Sequence, residues 1–87
     1  MTYAIQLEHR LEQKLVKLGK KEKKTYTRVI NKIVDISQNP YAGKPLTSVL
    51  KGRWRVHIGP FVLIYRIDEE RRAVIFLEFE HHDNAYN

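Results

Sequence analysis

Two runs of strict two-residue alternation lie side by side in residues 50–68, LKGRWRVHIGPFVLIYRID, and the rest of the chain is arranged around them. In the first run Trp54, Val56 and Ile58 point one way while Arg53, Arg55 and His57 point the other. In the second, Phe61, Leu63, Tyr65 and Ile67 oppose Val62, Ile64, Arg66 and Asp68. Period two marks a strand with one buried face. Gly59-Pro60 separates the runs, and proline cannot donate to a central ladder, so the chain turns there. The pattern predicts a β-hairpin with one apolar face and one face bearing two guanidiniums and an imidazole.

Upstream, residues 2–7 alternate Tyr3, Ile5 and Leu7 against Ala4 and Gln6, which predicts a short strand. From Glu8 the period changes. Leu11, Leu15 and Leu18 form one helical stripe, and Gly19 is placed to end that helix. A second helix is expected over residues 21–37, its core-facing stripe made of Tyr26, Val29, Ile30, Ile33 and Val34. Asn39-Pro40 stops it, because proline drives the preceding residue out of helical angles. A loop over 41–45 and a short edge segment over 46–50 lead into the hairpin. Residues 68–72 (DEERR) make a charged turn, and residues 74–81 form a last strand, apolar on both faces until Glu78 and Glu80 and therefore interior. The tail, 82–87, is short and polar. The order β-α-α-β-β-β predicts an α+β fold: a helical hairpin on one face of a small, twisted antiparallel sheet, with the first strand joining at an edge.

Eighty-seven residues suffice for one domain, 1–87, with a modest core. Cysteine is absent, which excludes a disulfide framework and a thiolate metal site and fits an intracellular, cytoplasmic protein. No apolar run approaches the ~18 residues of a membrane span, and the start lacks a signal-peptide pattern. The net charge of +6 favours polyanions: nucleic acid first, an acidic protein second, an acidic membrane surface a distant third. Between Lys14 and Lys32 the helices carry eight basic residues and one acidic one, Glu22. Such a run is either a solvated face or a contact surface for RNA phosphates or an acidic partner segment.

The row Arg53, Arg55 and His57 is the most informative cluster. Charges on an edge strand can simply block aggregation. Lys51 just before the row and Arg66 on the neighbouring strand extend it into a patch, however, and the planar arginine fork suits phosphate. His81, His82 and Asp83 do not suggest a metal site, since adjacent strand histidines point to opposite faces. Proton transfer is the alternative, an unperturbed imidazole titrating near ~6.5. By alternation His82 shares a face with Glu78 and Glu80, which makes His57, Glu78, Glu80 and His82 the acid–base candidates. Tyr86, four residues after His82, offers a stacking ring and a phenol, or else a carboxy-terminal anchor. Trp54 is expected in the core. No phosphate-binding glycine loop, nucleophile elbow or zinc spacing occurs.

In order and spacing these motifs resemble the RelE/ParE superfamily of toxins from toxin–antitoxin pairs. The resemblance runs nearly end to end: LVKLGK (15–20), the Gln38-Asn39-Pro40 stop, Gly43-Lys44-Pro45-Leu46, the 50–68 hairpin, and a histidine pair with a tyrosine four residues on. It implies a RelE-like fold and two branches of function: a ribosome-dependent, metal-free messenger-RNA endoribonuclease (an mRNA interferase that inhibits translation), or a ParE-like poison of DNA gyrase. A degenerate module that binds antitoxin or nucleic acid is a third reading. By position, Arg55 and His57 match basic strand residues that bind and activate RNA, and Tyr86 matches a stacking or proton-transferring tyrosine. His82 stands where a second terminal arginine is expected, and Val62 where the family has an arginine thought to stabilise the transition state. The catalytic candidates are Arg55, His57, His82 and Tyr86, and the cationic strand face read above gives the nucleic-acid-binding candidates Lys51, Arg53, Arg55 and Arg66. The implied partners are an acidic antitoxin, forming a hetero-oligomer, together with ribosome and message; no cofactor or metal is implied. Since Val62 opposes Phe61 and Leu63 in facing, it is expected on the open Arg55–His57 face, exposed enough to accept an arginine.

Overall fold

The alternating hairpin becomes the centre of a sheet. In the computed structural model, which describes residues 2–47 and 52–85, the elements follow as β1 (Ala4–Leu7), α1 (His9–Lys21), α2 (Lys23–Gln38), a 3-10 turn at Pro40–Ala42, β2 (Lys44–Pro45), β3 (Trp54–Ile58), β4 (Phe61–Asp68) and β5 (Ala73–His81). The sheet order is β1-β5-β4-β3-β2. Both helices cover one face, where Leu11, Leu15, Val29, Ile33 and Ile36 pack on Ile58, Leu63, Tyr65, Val74, Phe76 and Phe79. No described helix is long and apolar enough to cross a membrane.

The α+β class and the edge position of the first strand are as expected, but the sheet is mixed rather than antiparallel. β1 runs parallel to β5, Ala4 opposite Ala73 through Leu7 opposite Phe76. The antiparallel β3–β4–β5 meander fixes the direction of β5; the helical hairpin carries the chain from β1 to β2 at the opposite edge, and the meander then returns it to β5 beside β1. The short edge strand also lies earlier than expected, at Lys44–Pro45 opposite Arg55 and Trp54; Leu46 N–H extends the ladder to Arg53 O at 2.8 Å, and residues 48–50 lie outside the described residues. Gly43 is the local cause. A β-carbon there would meet the Tyr65 hydroxyl and stand 2.6 Å from the Arg55 carbonyl oxygen, so only glycine lets the chain lie this close to β3. Tyr65 itself is buried, donates to the Pro40 carbonyl at 2.6 Å, and is held as the phenol by a pKa that burial pushes up to about 12.

Two helix assignments shift. Gly19 does not end α1; the helix continues to Lys21, and the missing side chain instead receives the Tyr26 ring of α2, 3.2 Å from the β-carbon position. Val34 is 42% exposed, whereas Ile36 is 2% exposed and takes its place in the stripe, because the helix turns its 29, 33 and 36 positions toward the sheet. Trp54, read as core, is half-buried at the margin, edge-on to Tyr41 at 5.4 Å.

Glu69, in the β4–β5 turn, clasps the chain's opening to its middle. Its carboxylate accepts from the Tyr3 hydroxyl at 2.8 Å and from that of Tyr41, and Arg72 lies 4.4 Å over the Tyr3 ring. The Tyr41 hydrogen bond first, and that of Tyr3 second, lower the Glu69 pKa from its ordinary 4.5. A carboxyl depressed on folding stabilises above its unfolded pKa, and that contribution is lost as pH falls through the lowered folded value. Glu69→Gln is therefore expected to lower the melting temperature at neutral pH, with the gap from wild type closing as pH drops below 4.5. A gap independent of pH would show that the clasp is not ionic.

Candidate active site

The face of the sheet away from the helices is built in rows across the strands. Lys44, Arg55, Ile64 and Glu78 form one row; His57, Val62 and Glu80 form the next; Arg66, Ile75 and Gln6 form a third. Gly59, at φ +58°, makes the tight β3–β4 turn that sets His57 opposite Val62. After β5 the chain is tied back to that turn by His82 N–H donating to Pro60 O at 2.8 Å. As a result His82 stacks on His57 across β4, ring centroids 5.8 Å apart and 29° between planes.

Arg55 Nη1 lies 2.7 Å from His57 Nε2. A guanidinium can only donate, so Nε2 is the accepting nitrogen and the imidazole is the neutral, Nδ1-protonated tautomer. The electrostatics agree: desolvation first, then the charges of Arg55, His82 and Lys44, hold the His57 pKa below its ordinary 6.5. Asp83 stands beside the stack, 3.6 Å from His81 Nδ1 and 3.8 Å from His82 Nδ1. The arrangement offers a cation for phosphate oxygen, a neutral base and a second imidazole on one open surface.

Arg55, His57 and His82 are thus brought together. Arg53 shares their face but is engaged by Glu78, Nη1 to Oε2 3.3 Å. Arg66 is exposed on the same face, beyond Ile64 and away from His57. Lys51 and Tyr86 lie outside the described residues. Glu78 and Glu80, read as acid–base candidates, are occupied by cations: Lys14 reaches from α1 to Glu80 at 2.6 Å and donates to Phe79 O at 2.8 Å. Lys44 was not anticipated. Its position depends on the two-residue strand that Gly43 permits, and a lone lysine before a proline carries no period to reveal it. A cleft of about 710 Å³ lies elsewhere, along β5 between Arg10, Lys14, Arg53 and Glu78.

Val62 corrects an expectation. It does lie on the Arg55–His57 face, but it is wholly buried, 0% exposed, between His57 and Glu80. The imidazole stack spans the strand that carries it, and the Arg53–Glu78 pair spans the same strand beside Ile64, 1% exposed. Long side chains from the flanking strands cover the apolar centre.

A profile of the family described as "ParE toxin of type II toxin-antitoxin system, parDE" matches residues 5–86. The chain is 41% identical over 85 residues to a protein named putative toxin RelE4 from Methanocaldococcus jannaschii, covering 97% of this chain and 90% of that one. Among solved structures, it is similar to the toxin–antitoxin complex RelBE2 from Mycobacterium tuberculosis at 28% identity and TM-score 0.82, covering 97% and 95%. It shares its fold with the isolated E. coli RelE toxin at 16% identity and TM-score 0.76, covering 97% and 88%.

If Arg55 donates to neutral His57 and lowers its pKa, Arg55→Ala removes both effects. Histidine ring NMR is expected to show the His57 midpoint below 6.5 in wild type and displaced upward in the variant, with the fold intact. An unmoved midpoint would mean that Arg55 does not hold His57 neutral.

Proposed function

We propose that this chain, which belongs to the RelE/ParE superfamily of toxins from type II toxin–antitoxin systems, is a ribosome-dependent, metal-free messenger-RNA endoribonuclease that inhibits translation in the cytoplasm. The observation that carries this reading is the contact of Arg55 with the accepting nitrogen of His57, beneath the His82 ring. An incoming phosphate competes for the guanidinium. When Arg55 turns to the non-bridging oxygens, the His57 Nε2 lone pair is released to the ribose 2′-hydroxyl. The 2′-oxygen attacks the adjacent phosphorus, its proton passes to His57, and the bond to the 5′-oxygen breaks. That oxygen takes a proton from His82, which leaves a 2′,3′-cyclic phosphate and a free 5′-hydroxyl. Lys44 and Arg66 hold flanking phosphates, Lys51 extends the cationic patch, and Tyr86 takes the stacking or proton-transferring role that the family resemblance implies. A cognate antitoxin is the natural second partner, acidic to match the charge of +6. It leaves a hetero-oligomer as the resting state.

A ParE-like action on gyrase is the second reading, favoured by the apolar residue at the position of the family arginine. The deciding experiment is translation in a cell-free extract with primer extension on the message, run beside a gyrase cleavage assay. Wild type is expected to cut ribosome-bound message, and His57→Ala to lose on the order of 100-fold or more, as for a general base. Intact message with trapped gyrase–DNA complexes would establish the second reading instead.

Val62→Arg tests the same site from below. Because Val62 is buried under the imidazole stack, an arginine there overpacks the site at a cost of about 1–3 kcal/mol and parts the two rings. Cleavage is expected to fall. A stable, faster variant would mean that the stack opens freely and that the missing family cation limits the rate.

A further inference from the structure

One cation of the helical layer reaches round the sheet to its open face. The ladder between β1 and β5 ends at Leu7 opposite Phe76, where Glu8 N–H donates to Phe76 O at 2.9 Å and the chain turns into α1. Past that point β5 runs on to His81 with no described strand along its outer edge. Lys14 covers the gap. It follows the buried Leu11 by three residues and precedes the buried Leu15, so its stem starts beside the core while its ammonium extends past the edge. Nζ donates to Phe79 O at 2.8 Å and to Glu80 Oε1 at 2.6 Å. Among the ion pairs of the described residues, this is the one that joins a helix to the sheet.

Glu80 is the carboxylate that the open face can least leave loose. It stands opposite Val62, which stands opposite His57, so two strand spacings, about 10 Å, separate the backbones of Glu80 and His57. The surface between them is floored by the buried Val62, which screens a charge less than water does. The other charges that face His57 are Lys44 on β2, Arg55 on its own strand and His82 after β5, with Asp83 next to the imidazole stack and Arg28 of α2 over the Gly59 turn. Desolvation first, then Arg55, His82 and Lys44, hold the His57 pKa below 6.5. A loose Glu80 carboxylate opposes all of these: it favours the imidazolium and offers Arg55 an anion before any substrate arrives. The cleft along β5, which Glu80 lines with Arg53 and Glu78, leaves that side chain room to swing. Lys14 holds it at the outer edge instead.

We propose that Lys14 is a positioning residue of the open face: by pinning Glu80 to the outer edge of β5 it keeps a carboxylate away from Arg55 and His57 and leaves both to the substrate. The substrate clause rests on the reading of this face as a ribonuclease site, whereas the hold on Glu80 does not, and the two are tested apart. Histidine ring NMR on the full chain compares wild type with Lys14→Met, Lys14→Arg, Glu80→Gln and Lys14→Met/Glu80→Gln, each first shown to melt cooperatively. Lys14→Met is expected to raise the His57 midpoint by about 0.3–0.6 pH unit, the effect of one uncompensated carboxylate about 10 Å away over a partly dry surface. Lys14→Arg keeps the wild-type midpoint, and Lys14→Met/Glu80→Gln returns it to within about 0.1 pH unit of wild type, because the charge that Lys14 restrained is gone. A midpoint that does not move in Lys14→Met overturns the proposal. So does a rise that Glu80→Gln fails to reverse, since Lys14 then acts through its own charge or through packing alone. If Lys14→Met does not fold, Lys14→Gln removes the charge while keeping a donor for Phe79 O, and the same rise and the same reversal are expected. Cleavage of ribosome-bound message then tests the reading on which the substrate clause rests: a loss in Lys14→Met that the double variant regains upholds both, and wild type that cuts nothing removes the nuclease reading while the midpoints still decide the role of Lys14.

Discussion

β4 has no wet face. Leu63 and Tyr65 meet the helices on one side, Val62 and Ile64 lie on the other, and all four are buried. A strand dry on both sides belongs in the middle of a three-layer fold, yet here helices cover only one face. The second face must be covered by side chains alone. His57 and His82 span it at one row and Arg53 and Glu78 at the next, so the groups that keep water from Val62 and Ile64 are the polar groups of the open surface. Burying an aliphatic side chain contributes about 1.5–3 kcal/mol. In this sheet that contribution depends on imidazoles and an ion pair staying in place. Under the proposed function, stability and activity would share these atoms, and a substitution at His57 is expected to register in both.

The cover also sorts the charges. Glu78, Glu80 and Glu69 are each matched to a cation or a phenol, so the carboxylates nearest the open face are already engaged. Among the described residues, the cations without an ion pair include Lys44 on β2 and Lys20, Lys24 and Arg28 on the helical hairpin. A net charge of +6 on a small protein is diffuse by itself. Pairing elsewhere concentrates it on one end. That concentration, rather than the total, is what a polyanionic partner would meet.

The hairpin at 54–68 was legible because its period is local: each residue's facing follows from its neighbours, and every assignment there agrees with the register. Helix existence was equally legible, whereas helix limits were not. Gly19 looks like a terminator until Tyr26 is seen to need its missing side chain, and Val34 looks like core until the helix is rotated to serve Ile36. The parallel pairing of β1 with β5 joins residues at opposite ends of the chain and leaves no local trace. Lys44 was invisible for a related reason: its strand exists only because Gly43 fits against Tyr65, a contact 22 residues away in sequence. At the site, the shared face of Arg55 and His57 could be read from alternation alone, whereas the place of His82 opposite His57 could not, because it depends on the register shift in β5. The burial of Val62 could not, because it depends on which side chains reach across from two other strands.

β5 shows how a small irregularity decides the chemistry. Strict alternation from Val74 would place Phe76, Glu78 and Glu80 on one face, an arrangement that either buries two carboxylates or exposes a phenylalanine. The register avoids both. Tyr65 pairs with Phe76 and Ile64 with Glu78, so Leu77 is the extra residue of a β-bulge. Past it the phase is reversed: Phe79 returns to the core, and Glu78 and Glu80 turn to the open face, with His82 following at the same spacing. Two aromatics three residues apart, Phe76 and Phe79, are the visible trace, since no regular strand buries both on one side. Remove the bulge and His82 leaves the face of His57. The stack over Val62 is lost with it, and Arg55 is left facing one imidazole instead of two.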